Sequence, residues 1–190
     1  PDQNTVLVRL RDGLAVDMES LKRNFTATSA CGVCGKASLD ALVHEGCRPL
    51  KSTAAIHGAV LVSLPPAMLT GQSGFETTGG VHACGLFSTE GRLLSLKEDV
   101  GRHNALDKLV GQHFLAGTME RLERSVLVLS GRASYELLQK ALRARIPIVA
   151  AVGAPSSLAV EIARTFDITL AGFVKPSGFN VYASRERIRE

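Results

Sequence analysis

Runs of apolar residues predict an α/β protein that is most regular in its C-terminal half. Residues 125–129 form a continuous apolar run and residues 147–152 a second one, which are typical of strands buried on both faces. Residues 168–173 are predicted to form a third strand. Between these runs, residues 134–143 and 156–166 place apolar positions at helical spacing. Because strands and helices alternate, we expect parallel strands joined by right-handed crossovers.

The pattern before residue 125 predicts shorter elements. It indicates strands over residues 5–10, 81–87 and 92–97, and helices over residues 17–25, 37–43 and 102–114. Residues 56–64 are strand-like or the end of a short helix. Pro65 is expected to begin a helix that runs towards Phe75, because proline is tolerated in a first turn. The charged tail over residues 185–190 is expected to lie in solvent.

A glycine-flanked pair of cysteines is the most reactive segment of the chain. Cys31 and Cys34 lie three positions apart, and Gly32 and Gly35 favour a loop because glycine adopts positive φ at little cost. Lys36 lies close enough in sequence to favour the thiolate, which is the nucleophilic form of cysteine.

Three functional alternatives compete for Cys31 and Cys34. A zinc site needs a second pair of ligands, whereas the other cysteines, Cys47 and Cys84, are isolated in the sequence. A thioredoxin-type redox centre lies after the first strand of a βαβ unit, whereas this pair precedes the regular α/β region. A persulfide carrier needs an accessible thiolate in a mobile loop, which this composition favours.

Polar and glycine residues next to predicted strand ends and helix starts are candidates for ligand binding. They are Gly80, His82, Arg102, His103, Arg132 and Ser134. Ligands of open α/β sheets bind at the carboxyl ends of the strands, and helix starts with Arg and His suit a phosphate. Helix capping and tight turns are the ordinary alternative for each residue.

Composition narrows the class of protein. The 190 residues are 45% hydrophobic, which suits a single domain with a real core and excludes global disorder. The net charge of +4 fits an anionic small ligand, but acidic residues are mixed in throughout, so we expect no nucleic-acid face. Without a membrane-spanning run or a signal-peptide pattern, we expect a cytoplasmic protein with no membrane partner.

Five segments together carry a resemblance to a known family. They are residues 29–35, 78–83, 98–108, 130–136 and 172–182. In this order they resemble the FdhD family, the formate dehydrogenase accessory sulfurtransferases, over nearly the whole chain. The late segment follows the last predicted strand and contains the stretch that corresponds to the family's cofactor-binding residues, which are Phe173, Val174, Lys175, Pro176, Ser177 and Gly178.

The resemblance implies a sulfurtransferase. A cysteine desulfurase would donate sulfur, held as a persulfide on Cys31 with Cys34 as its partner. The sulfur would pass to the molybdenum bis(molybdopterin guanine dinucleotide) cofactor that formate dehydrogenase needs. The family also implies a homodimer. We expect no structural metal, because Cys47 and Cys84 do not form a second pair of ligands. The alternative is a chaperone that binds guanine nucleotide or molybdenum cofactor without catalysing sulfur transfer.

The resemblance also implies a fold, a cytidine deaminase-like three-layer sandwich with a mixed sheet. Residues 1–55 would form an N-terminal segment with the cysteine loop, and residues 56–190 the cofactor-binding domain. Deaminase chemistry is not expected, because the two corresponding helix starts lack the catalytic glutamate and the cysteine ligands. The chain departs from the family in two respects. The segment before the cysteine loop is short, so we expect it to be truncated, and Lys175 stands in place of arginine, which keeps the charge but loses the bidentate fork.

Overall fold

A computed structural model of the protein describes residue 7, residues 9–15 and residues 35–190. Three sequence-based predictions lie wholly or largely outside these residues: the strand over residues 5–10, the helix over residues 17–25 and the loop of Cys31 and Cys34. No helix within the described ranges is long and apolar enough to cross a membrane.

The chain divides into two compact units, residues 1–33 and residues 34–190. The described part of the first unit contains a tight turn, in which the Leu14 N–H donates to the Arg11 carbonyl at 3.2 Å. The helices and strands described below belong to the second unit. The functional partition predicted between residues 55 and 56 is a different division, and it stays a prediction.

Helices and strands follow one another through most of the second unit. The helices are α1 (Gly35–His44), α2 (Gly58–Leu69), α3 (Ser73–Thr78), α4 (Arg102–Leu115), α5 (Tyr135–Arg143) and α6 (Ser157–Thr165). The strands are β1 (Ile56–His57), β2 (His82–Phe87), β3 (Leu93–Asp99), β4 (Val126–Leu129), β5 (Ile148–Ala151), β6 (Thr169–Lys175), β7 (Gly178–Ala183) and β8 (Ile188–Arg189).

Six strands form one mixed sheet in the order β3-β2-β4-β5-β6-β7. β4, β5 and β6 are parallel, while β2 runs antiparallel to both of its neighbours, β3 and β4. β7 returns antiparallel to β6, and β1 pairs in parallel with β8 in a separate two-stranded sheet. The α/β class, the hairpin and the parallel strands expected from the sequence are confirmed.

Helices cover both faces of the six-stranded sheet. On one face α2 buries Leu61, Leu64 and Met68, whose spacing of three and four residues places them on one side of the helix. On the other face α4 packs against β2 and β3, and α5 packs between α4 and α6. Because β4, β5 and β6 follow one another with right-handed crossovers, α5 and α6 share that second face. The result is a helix–sheet–helix arrangement of three layers.

Helix α2 corrects the sequence prediction. It begins at Gly58 rather than at Pro65, so Pro65 and Pro66 lie inside it and remove two backbone donors. The preceding residues are apolar apart from Ser63, which hides the helical period and makes the segment resemble a strand. Burial of Leu61, Leu64 and Met68 against the sheet offsets the cost of the prolines.

The C-terminal region corrects two further predictions. Phe173, Val174 and Lys175 belong to β6 rather than following the last strand, and they lead into β7, which the sequence analysis missed. The tail is also not fully solvated, because Arg187 is buried. Its guanidinium donates to Asp167 at 2.6 Å and to the Leu50 carbonyl at 3.1 Å, so the tail is tied to the body of the unit.

Candidate functional site

Two surfaces lie at the edge of the sheet where β4, β5 and β6 end. The first lies on the α2 side and is formed by α2, α3, the start of β2 and the ends of the parallel strands. We call it the apolar cleft. The second lies at the starts of α4 and α5, on the opposite side of the sheet, and we call it the polar rim. It consists of Arg102, His103, Arg132, Ser134 and Glu136.

The apolar cleft has a volume of about 640 Å³. Its walls include Pro65, Leu69 and Phe75 on one side and Val152 and Val174 on the other. The side chains of Leu69, Phe75 and Val152 are between 39% and 55% exposed, so the opening of the cleft presents apolar surface to solvent. Such a surface suits a flat ring or another apolar group rather than a phosphate.

Hydrogen bonds fix the walls of the cleft. Both carboxylate oxygens of Glu98 accept from the first amides of α3, Gly74 at 2.8 Å and Phe75 at 2.9 Å, and so anchor this short helix on β3. The hydroxyl of Ser130 accepts from the Ala83 N–H at 2.9 Å, which ties the loop after β4 to β2. The cleft is therefore a preformed feature.

Few polar groups line the apolar cleft. His82 and Lys175 are the only titratable residues of its described lining, and Ser130 contributes a hydroxyl. The His82 ring lies close to Gly131, where an added Cβ would approach the ring at 3.4 Å. Gly79 ends α3 in a left-handed conformation with φ of 63°, and Gly80 then turns the chain into β2.

The polar rim rests on hydrogen bonds between two loops. The Gly153 N–H donates to the Gly131 carbonyl at 3.0 Å, and the Ala133 N–H donates to the Ala154 carbonyl at 3.2 Å. A Cβ on Gly153 would lie 3.0 Å from the Arg132 nitrogen, so this close approach requires glycine. Phe173 continues this set of hydrogen bonds between loops, since its N–H donates to the Gly153 carbonyl at 3.2 Å.

A histidine joins the two helix starts of the rim. The Nε2 atom of His103 lies 3.2 Å from the Ser134 hydroxyl and 3.7 Å from a Glu136 oxygen. Partial burial, and then the nearby Arg102 charge, lower the pKa of His103, so its imidazole is neutral at neutral pH. A neutral imidazole can both donate and accept a hydrogen bond at this position.

The helix starts at the rim are not capped by side chains. Gly101 precedes α4, and Ser134 precedes α5 without accepting from a helix amide, because its hydroxyl faces His103. In contrast, Ser156 caps α6 by accepting from the Ala159 N–H at 3.2 Å. The free amides of α4 and α5 can therefore bind an anion.

Arginine side chains give the rim its positive charge. Arg102 opens α4, and its buried Nε atom has no hydrogen-bond partner within the part of the chain that the structure describes. Arg132 is exposed in the loop between β4 and α5. Guanidinium groups beside free helix amides are suited to phosphate oxygens.

Cys84 lies beneath the rim but is not a nucleophile. Its Sγ atom is 3.9 Å from the Arg102 carbonyl, and the side chain is 1% exposed. Burial, and then the Asp107 charge, raise its pKa to about 12. Among the described residues, no three His, Cys, Asp or Glu side chains are grouped so that they could hold a metal ion.

The structure divides the predicted binding residues between the two surfaces. Lining the cleft are Gly80, His82, Val174, Lys175 and Pro176. Belonging to the rim are Arg102, His103, Arg132 and Ser134. Ser177 lies in the turn before β7 and Gly178 is the first residue of β7, and neither lines the cleft or belongs to the rim. Phe173 lies at the end of the rim, 45% exposed and with φ of 53°, at an irregularity in the pairing of β6 with β7.

Sequence reasoning missed the cleft walls and the rim carboxylate. Pro65, Leu69 and Phe75 were not predicted to be binding residues, because only the corrected start of α2 places them beside the strand ends. The sequence signal for these walls was a pair of adjacent prolines followed by apolar residues. Glu136 lies within the segment of residues 130–136, but nothing in its spacing distinguishes it from an ordinary acidic residue in the first turn of a helix.

A family model described as the FdhD/NarQ family matches residues 1–189. The chain belongs to the FdhD/NarQ family. This membership confirms the resemblance carried by the five sequence segments. The matched residues include both the segment that contains the cysteine pair and the unit that contains the apolar cleft and the polar rim.

Curated relatives and a solved structure agree with this family. Proteins named sulfur carrier protein FdhD from Streptomyces avermitilis and Sulfolobus acidocaldarius are 48% and 43% identical, over 97% of this chain. The matches cover 66% and 69% of those relatives, so the chain spans about two thirds of their length. A crystal structure named as a formate dehydrogenase accessory protein, from Desulfotalea psychrophila, is 32% identical with a TM-score of 0.69. That match covers 81% of this chain and 62% of the other.

Proposed function

We propose that this protein is a sulfurtransferase that supplies formate dehydrogenase with a sulfurated cofactor. It takes sulfur from a cysteine desulfurase and passes it to the molybdenum bis(molybdopterin guanine dinucleotide) cofactor, acting as a cytoplasmic homodimer. Membership of the FdhD/NarQ family, with relatives named sulfur carrier proteins, is the observation that carries this proposal.

The first step is sulfur capture by Cys31. Its thiolate attacks the terminal sulfur of the desulfurase persulfide, a new sulfur–sulfur bond forms on Cys31, and the desulfurase cysteine leaves as a thiolate. No external oxidant or reductant is needed. Cys84 is a poor alternative acceptor, since burial suppresses its thiolate.

The second step is release of the sulfur to the cofactor. The Cys34 thiolate attacks Cys31 Sγ, which forms a disulfide between the two cysteines and expels the outer sulfur as hydrosulfide. The two cysteines supply the electrons that reduce this sulfur, and a dithiol reductant then restores them. The hydrosulfide replaces an oxygen ligand at the molybdenum centre of the cofactor, which is the substrate of the reaction, and that oxygen leaves as water.

The composition of the two surfaces supports a nucleotide-containing acceptor. Arg102, Arg132 and the free amides of α4 and α5 can bind phosphates. The buried Nε of Arg102 has no acceptor among the described residues, so it can donate to a phosphate oxygen. The apolar cleft can hold a flat ring, and Lys175 at its opening can meet a further phosphate. Phe173 offers an aromatic plane for stacking.

Mass spectrometry after incubation with desulfurase and cysteine tests the proposal. We expect one added sulfur atom on Cys31, and loss of both this sulfur and formate dehydrogenase activation in Cys31→Ala. Cys47→Ala is the control, because Cys47 lies in the loop after α1 and is part of neither surface. The proposal is wrong if Cys31→Ala still accepts sulfur and still activates the enzyme.

The alternative function is a chaperone that binds and delivers the cofactor without carrying sulfur. The two preformed surfaces would serve this function equally well, since binding does not require a persulfide. Absence of added sulfur on Cys31, combined with retained cofactor binding, would favour the chaperone. The same incubation therefore separates the two functions.

A further inference from the structure

The helix that follows the cysteine pair is attached to the rest of the second unit at its C-terminal end. Helix α1 begins directly after Cys34, and residues 45–55, which we call the linker, join α1 to β1. Where α1 ends, the Cys47 N–H donates to the Leu42 carbonyl at 2.9 Å, and the Leu42 side chain is buried. Because a helix moves as a rigid rod, the direction of α1 depends on how this end and the linker are held.

Arg187 holds the linker from the C-terminal tail. Its guanidinium donates to two linker carbonyls, that of Leu50 at 3.1 Å and that of Ser52 at 3.3 Å. The same group donates to both oxygens of Asp167, at 2.6 Å and 3.2 Å, and the Arg187 side chain is 9% exposed. Leu50 is fixed a second time, since its N–H donates to the Phe166 carbonyl at 2.9 Å. One arginine thus joins the tail, the linker and the turn after α6.

The contacts of Arg187 fix a geometry more than they supply stability. A buried ion pair is weak evidence for stability, because desolvation of the charges offsets their attraction. An apolar side chain could attach the tail by packing, but it could not orient the linker carbonyls. The planar guanidinium meets Asp167 with Nη1 and Nη2, and the linker with Nε and Nη2. Lysine, which has one nitrogen, cannot span both partners.

The position of the linker matters because α1 amplifies a change at its end. The 10 residues of α1 span about 15 Å at a rise of about 1.5 Å per residue. A tilt of about 20° at the linker would therefore displace the opposite end, which adjoins Cys34, by about 5 Å. A misplacement of about 1 Å can slow a reaction by about a hundredfold, so sulfur delivery requires a fixed linker.

We propose that Arg187 is a positioning residue for sulfur transfer, because it fixes the base of the helix that follows the cysteine pair. The inference rests on the proposed function and adds to it a residue of the C-terminal tail. Arg187 acts through the carbonyls of Leu50 and Ser52 rather than through contact with the reacting sulfur. Loss of these two hydrogen bonds should free α1 while the six-stranded sheet stays intact.

Hydrogen exchange of the whole chain, followed by mass spectrometry of its peptides, tests the inference. In Arg187→Met, whose side chain has no donors, the hydrogen-bonded amides of α1 should exchange at least about tenfold faster than in the wild-type protein. The amides of β4 and β5 should keep their rates, because these central strands report the stability of the whole sheet. Arg189→Met, at an exposed arginine of β8, is the control and should leave α1 unchanged.

A second measurement separates the loading of sulfur from its delivery. In Arg187→Met, Cys31 should take up radiolabelled sulfur to the wild-type level, whereas transfer to the molybdenum cofactor should be at least about tenfold slower. Arg187→Lys keeps the charge and one donor nitrogen, so it should recover part of the rate. Unchanged delivery, unchanged exchange of α1, or equal acceleration of exchange in α1, β4 and β5 would overturn the inference. Absence of sulfur on Cys31 in the wild-type protein would instead refute the sulfur-transfer proposal.

Discussion

The apolar cleft and the polar rim share one edge of the sheet but are built by different means. Side chains form the cleft, with Leu69 and Phe75 projecting from α2 and α3. Backbone forms much of the rim, where two loops hydrogen-bond to each other and Gly153 leaves no room for a side chain. We therefore expect the rim to be sensitive to small backbone changes and the cleft to tolerate changes of side chain.

The largest expected effect concerns the thiol of Cys84, whose alkylation rate shows whether the rim shields it from solvent. Because its pKa is about 12, the fraction of Cys84 present as thiolate at pH 8 is roughly a thousandfold smaller than for an ordinary thiol. Alkylation followed by mass spectrometry, in a protein whose other cysteines are replaced by serine, should show slow labelling in buffer and fast labelling in urea. Rapid labelling of the folded protein would show that the rim does not protect this thiol.

Gly153→Ala should damage the rim selectively. The added Cβ would meet the backbone of Gly131 and Arg132 at 3.0 Å, and backbone cannot move aside as a side chain can. We expect a loss of about 2 kcal/mol in the free energy of unfolding, measured in urea, and weaker GDP binding. Gly111→Ala is the control, since that helical glycine has open space and alanine should stabilise α4 by up to about 1 kcal/mol. Equal stability of the two variants would contradict the steric account.

Leu69→Ser should damage the cleft without damaging the rim. Leu69 is 55% exposed, so the free energy of unfolding should change by less than about 1 kcal/mol. Binding of an apolar fluorescent dye should weaken several-fold, while GDP binding stays close to the wild-type value. Leu115→Ser, at an exposed leucine outside the cleft, is the control. A parallel loss of GDP binding would mean that the two surfaces act as one.

The smallest expected effect is a pH dependence of stability from His103. Because its pKa is lowered in the folded protein, the unfolded chain binds more protons between that pKa and the ordinary value of about 6.5. This histidine should therefore lower stability as the pH falls from about 7 to about 5, and His103→Gln should flatten that slope. Urea unfolding at several pH values provides the measurement.

His113 is the reference for this pH dependence, because it lies away from the rim. Burial, and then the Arg121 charge, lower its pKa as well, and its ring nitrogens contact Ser95 and Thr118. His113→Gln should flatten the slope of stability without changing GDP binding. If His103→Gln leaves both the slope and GDP binding unchanged, the neutral imidazole has no role at the rim.

The regular half of the fold is predictable from sequence because its strands are buried on both faces. Apolar runs such as residues 125–129 leave little alternative to a parallel sheet. The start of α2 was not predictable from local pattern, since an almost wholly apolar helix with internal prolines shows neither a clear helical period nor a normal start. Burial of Arg187 was equally hidden, because its partners Leu50 and Asp167 are distant in sequence.

Only part of the candidate site could be predicted from the sequence, because long-range packing decides the rest. Motif spacing identifies polar residues such as His82 and Ser134 near strand ends, but not which side of the sheet each one occupies. That side depends on strand register and on the packing of whole helices, which bring Phe75 to the cleft and Glu136 to His103. The proposed role of the two cysteines rests on family membership and not on a contact within the described residues.

The central claim is that sulfur held on Cys31 passes to a ligand bound at this edge of the sheet. The most direct test loads the protein with radiolabelled sulfur from cysteine through the desulfurase, removes the desulfurase and adds the molybdenum cofactor. We predict that label moves from Cys31 to the cofactor in the wild-type protein, whereas in Arg102→Gln the label stays on Cys31 or is released as free hydrosulfide and does not reach the cofactor. Label that never reaches Cys31, or that moves equally well in Arg102→Gln, would contradict the account.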